Sequence, residues 1–492
     1  MLNKNINLLF TSYLTTTFAV MNKTNVRPSV GIDDISIYCP SLYLDIQDFA
    51  KARDVIPAKL ENGLGLKAIA IPDSSEDVVT MAAEALCDLV EKNNLQPKDI
   101  GRIYVGTESM IDGSKPLASY LLGILKQYYD LKSIDAHELY HCDVVDMVFA
   151  CIGAVDAMQN SLDWVTLNPD KKAIVISTDN AKYDLHSPGE CTQGAGSIAM
   201  LLSKDPRILE IGSNWGVSAY CEHDFFKPLR LRVRHHDIVS SNGIDASKLG
   251  KEVYSEHKDT PVYDGHHSNV CYTNRITEAL ENFKAKSEKA DYLDQWSQLI
   301  FHLPYAFHAR RVFVPLFIEN LKEQGKWDEF SKPFIETIPE NDPKFAKLFY
   351  KAVSSSRDYK KFVAEKIAKG ERASSLIGNM YTGSIFLSLI SSLSLTSEDE
   401  LANKKIGFFA YGSGSKSKVF EAQVKPGYQK LIDRINLFER LENRLPINMD
   451  QYEYLHRNKL VVNLDSKDRK VFQTSSGWTD TNKYARQYSL VK

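Results

Sequence analysis

The chain alternates short, continuous apolar segments with helical patterns, and few fold classes accommodate that alternation. Three segments share one design, an apolar core followed by small turn residues: "GRIYVGTES" (101–109), "KKAIVISTD" (171–179) and "KKIGFFAYGSGS" (404–415). Apolar runs of this length usually form strands in a sheet that is covered on both faces. The sequence therefore predicts an α/β fold.

Amphipathic helices are predicted between these strands. Residues 75–95 ("SEDVVTMAAEALCDLVEKNNL") place their apolar side chains on one helical face, with Ser75 as the expected N-cap. A second helical pattern follows Cys151, with apolar residues at intervals of three and four. Strand, helix and strand again is the order typical of α/β proteins.

Domain boundaries are weakly marked, because no low-complexity linker divides the chain. Residues 1–27 contain a mildly apolar stretch that is interrupted by three threonines and lacks a signal-peptide cleavage pattern. They are predicted to form a disordered or misassigned extension, with weak targeting as the alternative. Residues 28–215 and 216–492 are predicted to be two related halves packed as one body, although residues 216–296 are polar and weakly periodic.

Charge and cysteine usage exclude some functions. With 60 basic and 63 acidic residues, the net charge of −3 gives no reason to expect nucleic acid or an anionic membrane as a partner. No window is long and apolar enough for a membrane span. The seven cysteines are odd in number and lack C-x-x-C spacing, which predicts a reducing cytoplasm without a disulfide framework or zinc site. The doublets His235-His236 and His266-His267 also lack metal-ligand spacing and are predicted to be surface or loop residues.

Three side chains are candidates for catalysis. Cys151 comes at the start of a predicted helix, where unpaired N–H groups and the helix dipole stabilise a thiolate. Glu108 follows a buried strand, in a position where a carboxylate with a raised pKa acts as a base. His302 lies on an apolar strand end, in "FHLPYAF". Taken singly, each has a structural alternative: a buried thiol, an ion-paired turn residue and a satisfied core histidine.

Two further segments are candidates for binding a ligand. Asn379 lies in a turn rich in glycine and serine before an apolar helix, where its amide either orients a ligand or caps the helix. The loop "AYGSGSKSK" (410–418), which contains Gly412 and Ser413, follows a strand. Its backbone N–H groups are suited to an oxyanion hole or to phosphate, although such a loop is a weak signal by itself.

Together, these residues and their order resemble the 3-hydroxy-3-methylglutaryl-CoA synthase family of thiolase-like condensing enzymes. The resemblance runs from about Val30 to the C-terminus. Its most specific motifs are "GTES", "ISTDNAKYDLHSPGECTQGAGSIAML", "FHLPY", "GNMYTGSIFLSLIS" and "FFAYGSGS". It implies a five-layered αβαβα sandwich of two similar halves, with an active site at their join, and a homodimer.

The resemblance also implies a reaction of the mevalonate pathway of isoprenoid synthesis, and a role for each candidate. Cys151 would accept the acetyl group of acetyl-CoA, and Glu108 would remove a proton from its methyl group. The resulting carbanion would attack the ketone of acetoacetyl-CoA, whose oxygen is bound by His302 with help from Asn379. The backbone N–H groups of Cys151 and Ser413, beside Gly412, match the family's oxyanion hole. No metal or redox cofactor is implied, because the CoA thioesters are substrates.

The remaining implied roles concern the pocket and the docking of CoA. Tyr183 and Thr192 match pocket positions of the family. The family's lysine for the CoA phosphates is Phe307 here, so Arg310 and Arg311 are expected to supply the charge.

Two alternatives stay open. The first is a related synthase that takes its acyl group from an acyl carrier protein in polyketide β-branching. The second is an inactive thioester-binding protein, against which the intact set of Cys151, Glu108 and His302 argues.

Overall fold

A computed structural model describes residues 28–227, 232–234, 253–255, 260–287, 292–336, 338, 344–457, 471–475 and 486–490. The predicted extension and the doublet His235-His236 lie outside these ranges. The predicted α/β class is confirmed.

The strands are β1 (Val30–Tyr38), β2 (Leu42–Asp45), β3 (Ala68–Ile71), β4 (Ile100–Gly106), β5 (Asp143–Met147), β6 (Lys172–Ala181), β7 (Gly194–Lys204), β8 (Leu209–Ala219), β9 (Phe225–Phe226), β10 (Arg232–Arg234), β11 (Val253–Ser255), β12 (Val262–Tyr263), β13 (Trp296–Phe301), β14 (Lys405–Gly412), β15 (Lys416–Val424), β16 (Leu445–Ile447), β17 (Val471–Ser475) and β18 (Gln487–Leu490).

The helices lie between these strands and at the ends of the sheets. They are α1 (Ile46–Ala52), α2 (Val78–Lys92), α3 (Leu117–Leu131), α4 (Gly153–Leu167), α5 (Gly265–Ala285), α6 (Tyr292–Gln295), α7 (Ala309–Val312), α8 (Val314–Glu323), α9 (Trp327–Ile335), α10 (Phe345–Ser355), α11 (Arg357–Lys366), α12 (Ala368–Ile377), α13 (Ser384–Ser394), α14 (Glu398–Leu401), α15 (Tyr428–Asp433), α16 (Leu437–Glu442) and α17 (Met449–His456).

The main sheet consists of two parts that meet at a narrow junction. Its strand order is β13-β14-β15-β8-β1-β7-β6-β4-β5. Between the two parts, β1 and β8 pair only through Gly31 with Glu210 and Ile32 with Leu209. By contrast, β8 pairs with β15 along most of its length. The predicted boundary at 215/216 falls inside β8, and the division into two halves remains a proposal.

Five layers follow from the way each strand alternates its side chains. In β6, Val175 faces a core shared with α4 and α13, whereas Ile176 faces the core of α2 and α3. In β14, Phe408 faces the α4 and α13 core and Phe409 faces the core of α5 and α8. Helix α13 is buried from Ser384 to Leu393, as expected of a helix enclosed on all sides. The two parts of the main sheet thus enclose a central helical layer and carry outer helices, which confirms the predicted thiolase-like sandwich.

One local prediction is wrong, and one long helix lies where the sequence shows little periodicity. Helix α2 begins at Val78, and its N-cap is Asp77, whose side chain accepts hydrogen bonds from the N–H groups of Val79 and Thr80 at 2.9 Å. Ser75 instead donates its hydroxyl hydrogen bond to Asp73 at 2.6 Å, in the turn before the helix. The polar region after residue 216 also contains the 21-residue helix α5, whose apolar residues are too few to produce a clear helical pattern.

Among the residues that the structure describes, none of the helices is both long enough and apolar enough to cross a bilayer.

Candidate active site

Cys151 lies in a tight turn between β5 and α4. Ala150, just before it, adopts a left-handed backbone conformation with φ 39°. The N–H of Ile152 donates to the carbonyl of Phe149 at 3.1 Å, and the helix starts at the next residue, Gly153. A Cβ on Gly153 would lie 2.5 Å from the carbonyl oxygen of Met147, so the chain needs glycine for this approach. The turn aims the thiol at the end of the neighbouring strand β4.

Glu108 follows β4 and contacts the thiol directly. The Cys151 Sγ donates a hydrogen bond to Oε1 of Glu108 over 3.3 Å. The close approach depends on Gly106, because a Cβ there would lie 2.2 Å from the backbone nitrogen of Ala154 in α4. The structure therefore brings together two predicted catalytic residues from separate strands of one sheet.

The electrostatics of this pair suit a base at neutral pH. Burial raises the pKa of Glu108 to about 7, while the charge of Lys227 and the thiol hydrogen bond lower it and Asp179 adds to the rise. Burial, followed by the charge of Glu108, raises the pKa of Cys151 well above its ordinary value. Burial and the Glu108 charge therefore oppose the stabilisation of a thiolate that is expected at the start of the helix.

Asp179 holds the Glu108 turn in place, and sequence reasoning did not identify it. Its Oδ1 accepts hydrogen bonds from the backbone N–H of Glu108 at 2.9 Å and from the hydroxyl of Ser109 at 2.8 Å. Its Oδ2 accepts a hydrogen bond from the backbone N–H of Thr382 at 3.0 Å. One buried carboxylate thus joins segments that are more than 200 positions apart. The only available signal was an aspartate at the end of an apolar strand, in "ISTDN".

Aromatic side chains and one lysine enclose the thiol. Tyr381 is fully buried beside Cys151, with Phe225 at its edge and 5.9 Å between the two ring centroids. The ammonium of Lys227 lies 4.5 Å above the Tyr381 ring and donates to the carbonyl of Glu108 at 3.3 Å. Tyr183, a predicted pocket residue, packs edge-on against Phe225 at 6.4 Å. Sequence reasoning missed Phe225, Lys227 and Tyr381. Phe225 and Lys227 lie in the polar region after residue 216, which shows no periodic pattern.

His302 follows β13 and is buried, with 2% of its surface exposed. Its N–H donates to the carbonyl of Phe409 at 3.1 Å, and its carbonyl accepts a hydrogen bond from the Tyr272 hydroxyl at 2.8 Å. The ring Nδ1 has no hydrogen-bond partner within the described part of the chain. Burial lowers the pKa of His302 to about 3, so the imidazole is neutral. Tyr272 stacks on this ring at 6.2 Å and lies near enough to Cys151 for the charge of a Cys151 thiolate to raise the Tyr272 pKa further.

Asn379 and Thr192 belong to the wall that holds Tyr381. The N–H of Asn379 donates to the carbonyl of Thr192 at 3.0 Å. The side-chain Oδ1 of Asn379 accepts a hydrogen bond from the N–H of Tyr381 at 2.8 Å. Tyr381 itself has a left-handed backbone with φ 42°, and this hydrogen bond stabilises its turn. The side chain of Asn379 therefore stabilises the Tyr381 turn, in addition to its predicted role in binding the ketone oxygen.

The glycine–serine loop after β14 packs against the turn that carries the thiol. A Cβ on Gly412 would lie 2.9 Å from the nitrogen of Ile152 and 2.8 Å from the carbonyl oxygen of Phe149. Asp224 fixes the loop, accepting hydrogen bonds from the Gly414 N–H at 2.8 Å and the Tyr411 hydroxyl at 2.7 Å. Ser413, between these contacts, is thereby held close to the Cys151 turn.

Arg310 and Arg311 lie on α7, beyond His302. The Nε of Arg310 donates to Oε1 of the buried Glu371 at 2.9 Å, and its guanidinium covers the Phe307 ring at 3.7 Å. Arg311 donates to the carbonyl of Gly63. A cavity of about 420 Å³ opens beside them and is lined by Lys67, Phe307, Arg310 and Arg372, among others.

Comparison with known proteins indicates one family. Family models described as hydroxymethylglutaryl-coenzyme A synthase N terminal and C terminal match residues 27–206 and 252–475. A hydroxymethylglutaryl-CoA synthase from Haloferax volcanii is 29% identical over 440 residues, covering 87% of this chain and 91% of the relative.

Solved structures agree as well. The structure of MvaS in complex with 3-hydroxy-3-methylglutaryl coenzyme A matches with a TM-score of 0.74 at 25% identity, covering 95% of this chain and all of that one. The HMG synthase of the curacin biosynthetic pathway, in complex with an acetyl donor-ACP, shares the fold with a TM-score of 0.69 at 20% identity, over 94% of this chain and 100% of its own. This chain belongs to the hydroxymethylglutaryl-coenzyme A synthase family.

Proposed function

We propose that the chain condenses acetyl-CoA with acetoacetyl-CoA to give 3-hydroxy-3-methylglutaryl-CoA and free CoA, through an acetyl thioester on Cys151. The observation that carries this proposal is the 3.3 Å contact between Cys151 Sγ and Glu108 Oε1. A nucleophile and a base in direct contact can form an acyl-enzyme and then remove a proton from that acyl group. The product belongs to the mevalonate pathway of isoprenoid synthesis.

In the first step, the Cys151 sulfur attacks the acetyl carbonyl of acetyl-CoA. The bond to the CoA sulfur breaks, and the thiol proton passes to the departing CoA. One thioester replaces another, so the transfer is close to thermoneutral. The backbone N–H groups of Cys151 and Ser413 would stabilise the tetrahedral oxyanion, since the Gly412 loop packs on the Cys151 turn.

In the second step, Glu108 removes a methyl proton from the acetyl group. Its pKa of about 7 makes it a stronger base than an ordinary carboxylate while leaving it partly ionised at neutral pH. The carbanion attacks the ketone carbon of acetoacetyl-CoA, and the neutral His302 donates a hydrogen bond to the developing alkoxide. The proton taken by Glu108 balances the one that the alkoxide gains. Water then cleaves the thioester and restores the Cys151 thiol.

Docking of the CoA phosphates is proposed near α7. The cavity beside Phe307 has three cationic residues in its lining, Lys67, Arg310 and Arg372. Glu371 neutralises part of the Arg310 charge, so Lys67 and Arg372 would contribute more of the attraction, and Arg311 lies outside the lining. Replacement of Arg372 by alanine should raise the KM for acetyl-CoA more than it lowers kcat, because a phosphate contact is the same in the ground and transition states.

A homodimer is proposed from the free edge of the sheet. Strand β5 ends the nine-stranded sheet, and its Val145 is 37% exposed, with the nearby Val148 at 51%. An edge strand presents backbone N–H and C=O groups that can pair with another strand. A second copy, paired through β5, would cover it. The molar mass of the native chain in solution, compared with that of Val145→Lys, tests this pairing. The expected compartment is a reducing cytoplasm.

The identity of the acyl donor that labels Cys151 distinguishes this function from a carrier-protein-dependent synthase and from an inactive thioester-binding protein. Native protein incubated with labelled acetyl-CoA should carry label on Cys151, and Cys151→Ala should carry none. Acetoacetyl-CoA should then release free CoA from acetyl-CoA at a steady rate. Labelling by an acetylated carrier protein but not by acetyl-CoA would instead support the polyketide alternative. No labelling from either donor would support an inactive thioester-binding protein.

A further inference from the structure

A cluster of three potential metal ligands lies outside the proposed active site. The Nε2 of His267 is 3.4 Å from Oε2 of Glu222 and 3.5 Å from the Sγ of Cys271. The three ligand atoms all lie within 4.8 Å of one another. His267 and Cys271 are four residues apart on α5, so their side chains share one helical face. Glu222 comes from the segment after β8.

Two of the three distances between these atoms are those of a tetrahedral zinc site. Zinc binds sulfur at about 2.3 Å, imidazole nitrogen at about 2.0–2.1 Å and carboxylate oxygen at about 2.0–2.2 Å. Tetrahedral angles between such bonds place nitrogen and sulfur about 3.6 Å apart, and nitrogen and oxygen about 3.4 Å apart. The two distances from His267 Nε2, 3.5 Å and 3.4 Å, agree with those values. Because the Cys271 Sγ also lies 3.9 Å from Nδ1, the sulfur is beside the ring, and the exposed imidazole would have to rotate to aim Nε2 at the ion.

We propose that Glu222, His267 and Cys271 bind one zinc ion, with water as the fourth ligand. Thiolate, imidazole and carboxylate together favour zinc over magnesium or calcium, which prefer oxygen ligands. The metal replaces the Cys271 proton, which leaves to solvent as the zinc–sulfur bond forms. His267 is 45% exposed and gives an ion access to the buried sulfur.

The site lies beside the segment that completes the active site. The N–H of Glu222 donates to the carbonyl of Gly414 at 2.8 Å, in the glycine–serine loop. Two residues on, Asp224 accepts a hydrogen bond from the Gly414 N–H, and three residues further on Lys227 contacts Glu108. Zinc would therefore cross-link the segment 222–227 to helix α5. This structural metal site is separate from the proposed condensation, which involves no metal.

The binding test uses zinc alone and cobalt as its spectroscopic substitute. Zinc content after desalting is measured for the native chain and for Cys151→Ala, which removes the catalytic thiol as a ligand. The same measurement is made on Glu222→Gln, His267→Gln and Cys271→Ser. His266→Gln is the matched control, because His266 neighbours His267, is also exposed and is absent from the cluster. Cys221→Ser is the control for an exposed thiol.

The expected result is one zinc per chain in the native protein, Cys151→Ala, His266→Gln and Cys221→Ser. The three ligand variants should bind at least about tenfold more weakly, since loss of even an outer-sphere partner typically costs ~10–100-fold in affinity. Cobalt should give a thiolate-to-cobalt absorption band that Cys271→Ser abolishes.

Native affinity in His267→Gln would overturn the proposal, as would zinc that is lost in Cys151→Ala or Cys221→Ser, or a native chain that binds none. Because His267 is exposed, its variant should fold even where Cys271→Ser does not. The condensation assay is independent of these readouts, so failure of the zinc site and failure of the proposed function are distinguishable.

Discussion

The carboxylate of Asp179 accepts a hydrogen bond from the backbone N–H of Glu108 at 2.9 Å. Its other oxygen holds Thr382, next to the Tyr381 that covers the thiol. The position of the proposed base and the wall of its pocket therefore depend on one buried acid. The same acid adds to the rise in the Glu108 pKa.

Asp179→Asn should lower both stability and condensation. An amide cannot accept hydrogen bonds on both sides, and each buried donor left without a partner costs about 1–3 kcal/mol. Loss of the negative charge should also move the acid limb of the condensation rate to lower pH, because that charge raises the Glu108 pKa. Single-turnover condensation by acetylated enzyme across pH measures this limb. Ser109→Ala removes one donor but keeps the charge, and it should leave the limb in place. An unmoved limb in Asp179→Asn would contradict the electrostatic role.

The condensation step itself should lose rate below about pH 7. Only ionised Glu108 can accept the methyl proton, and its pKa is about 7, so the rate should fall about tenfold for each further pH unit. The charge of Lys227 lowers that pKa, so Lys227→Met should move the limb to higher pH. The ratio of the two condensation rates should be largest below pH 7 and approach one at alkaline pH. If the pH–rate profiles of the native chain and Lys227→Met coincided, a group other than Glu108 would be responsible for the loss of rate at low pH.

Glu108→Gln should separate the two chemical steps. Condensation should fall by ~10²–10⁴, the usual contribution of a general base. Acetylation of Cys151 should survive, because removing the Glu108 charge also removes a cause of the raised thiol pKa. Trapping with labelled acetyl-CoA, followed by a chase with acetoacetyl-CoA, measures both steps. Equal loss of both would show that Glu108 is needed to form the thioester.

The same variant should be more stable than the native chain at alkaline pH. The folded pKa of Glu108 lies above its unfolded value of about 4.5, so folding disfavours ionisation and stability falls as pH rises between 4.5 and 7. The full shift corresponds to about 3 kcal/mol. Unfolding at pH 5 and pH 8 should therefore show a gain for Glu108→Gln only at the higher pH.

The parts of this site that could be predicted from sequence are those carried by short motifs. Glu108 follows the apolar strand β4 and Cys151 follows the edge strand β5, and because these strands are parallel, both residues lie at the carboxyl end of the sheet. The role of Asp179 could not be predicted, because its partners Glu108 and Thr382 are distant from it in the sequence. Phe225 and Lys227 lie in a polar segment without periodicity, whose position only the packing of α5 and the β14 loop determines. Glu222 and His267 are likewise distant in sequence, so ligand spacing along the chain could not associate them.

His302→Ala should impair condensation while leaving acetylation intact. Loss of one hydrogen-bond donor to a developing oxyanion typically costs ~10²–10³ in rate. His302→Asn, which keeps an N–H donor, should recover part of the loss. The acid limb near pH 7 should persist in both variants, because burial lowers the His302 pKa to about 3 and the ring stays neutral there. A limb that vanished with the histidine would reassign the titrating group.

Gly412→Ala should disable acetylation by displacing the loop that faces the thiol. The new Cβ would lie 2.9 Å from the Ile152 nitrogen and 2.8 Å from the Phe149 carbonyl oxygen, both backbone atoms that cannot yield without moving the Cys151 turn. The Ser413 N–H would then miss the oxyanion, and the rate of acetyl transfer should fall by ~10²–10³. Gly123→Ala is the matched control: apart from its chain neighbours and the nearby backbone of α3, no atom of the described residues lies within 4 Å of its Cβ position, so this change should be neutral or stabilise that helix by about 0.5–1 kcal/mol. The burst of labelled acetyl-enzyme in the two variants measures the difference. A normal burst in Gly412→Ala would mean that the loop takes no part in stabilising the oxyanion.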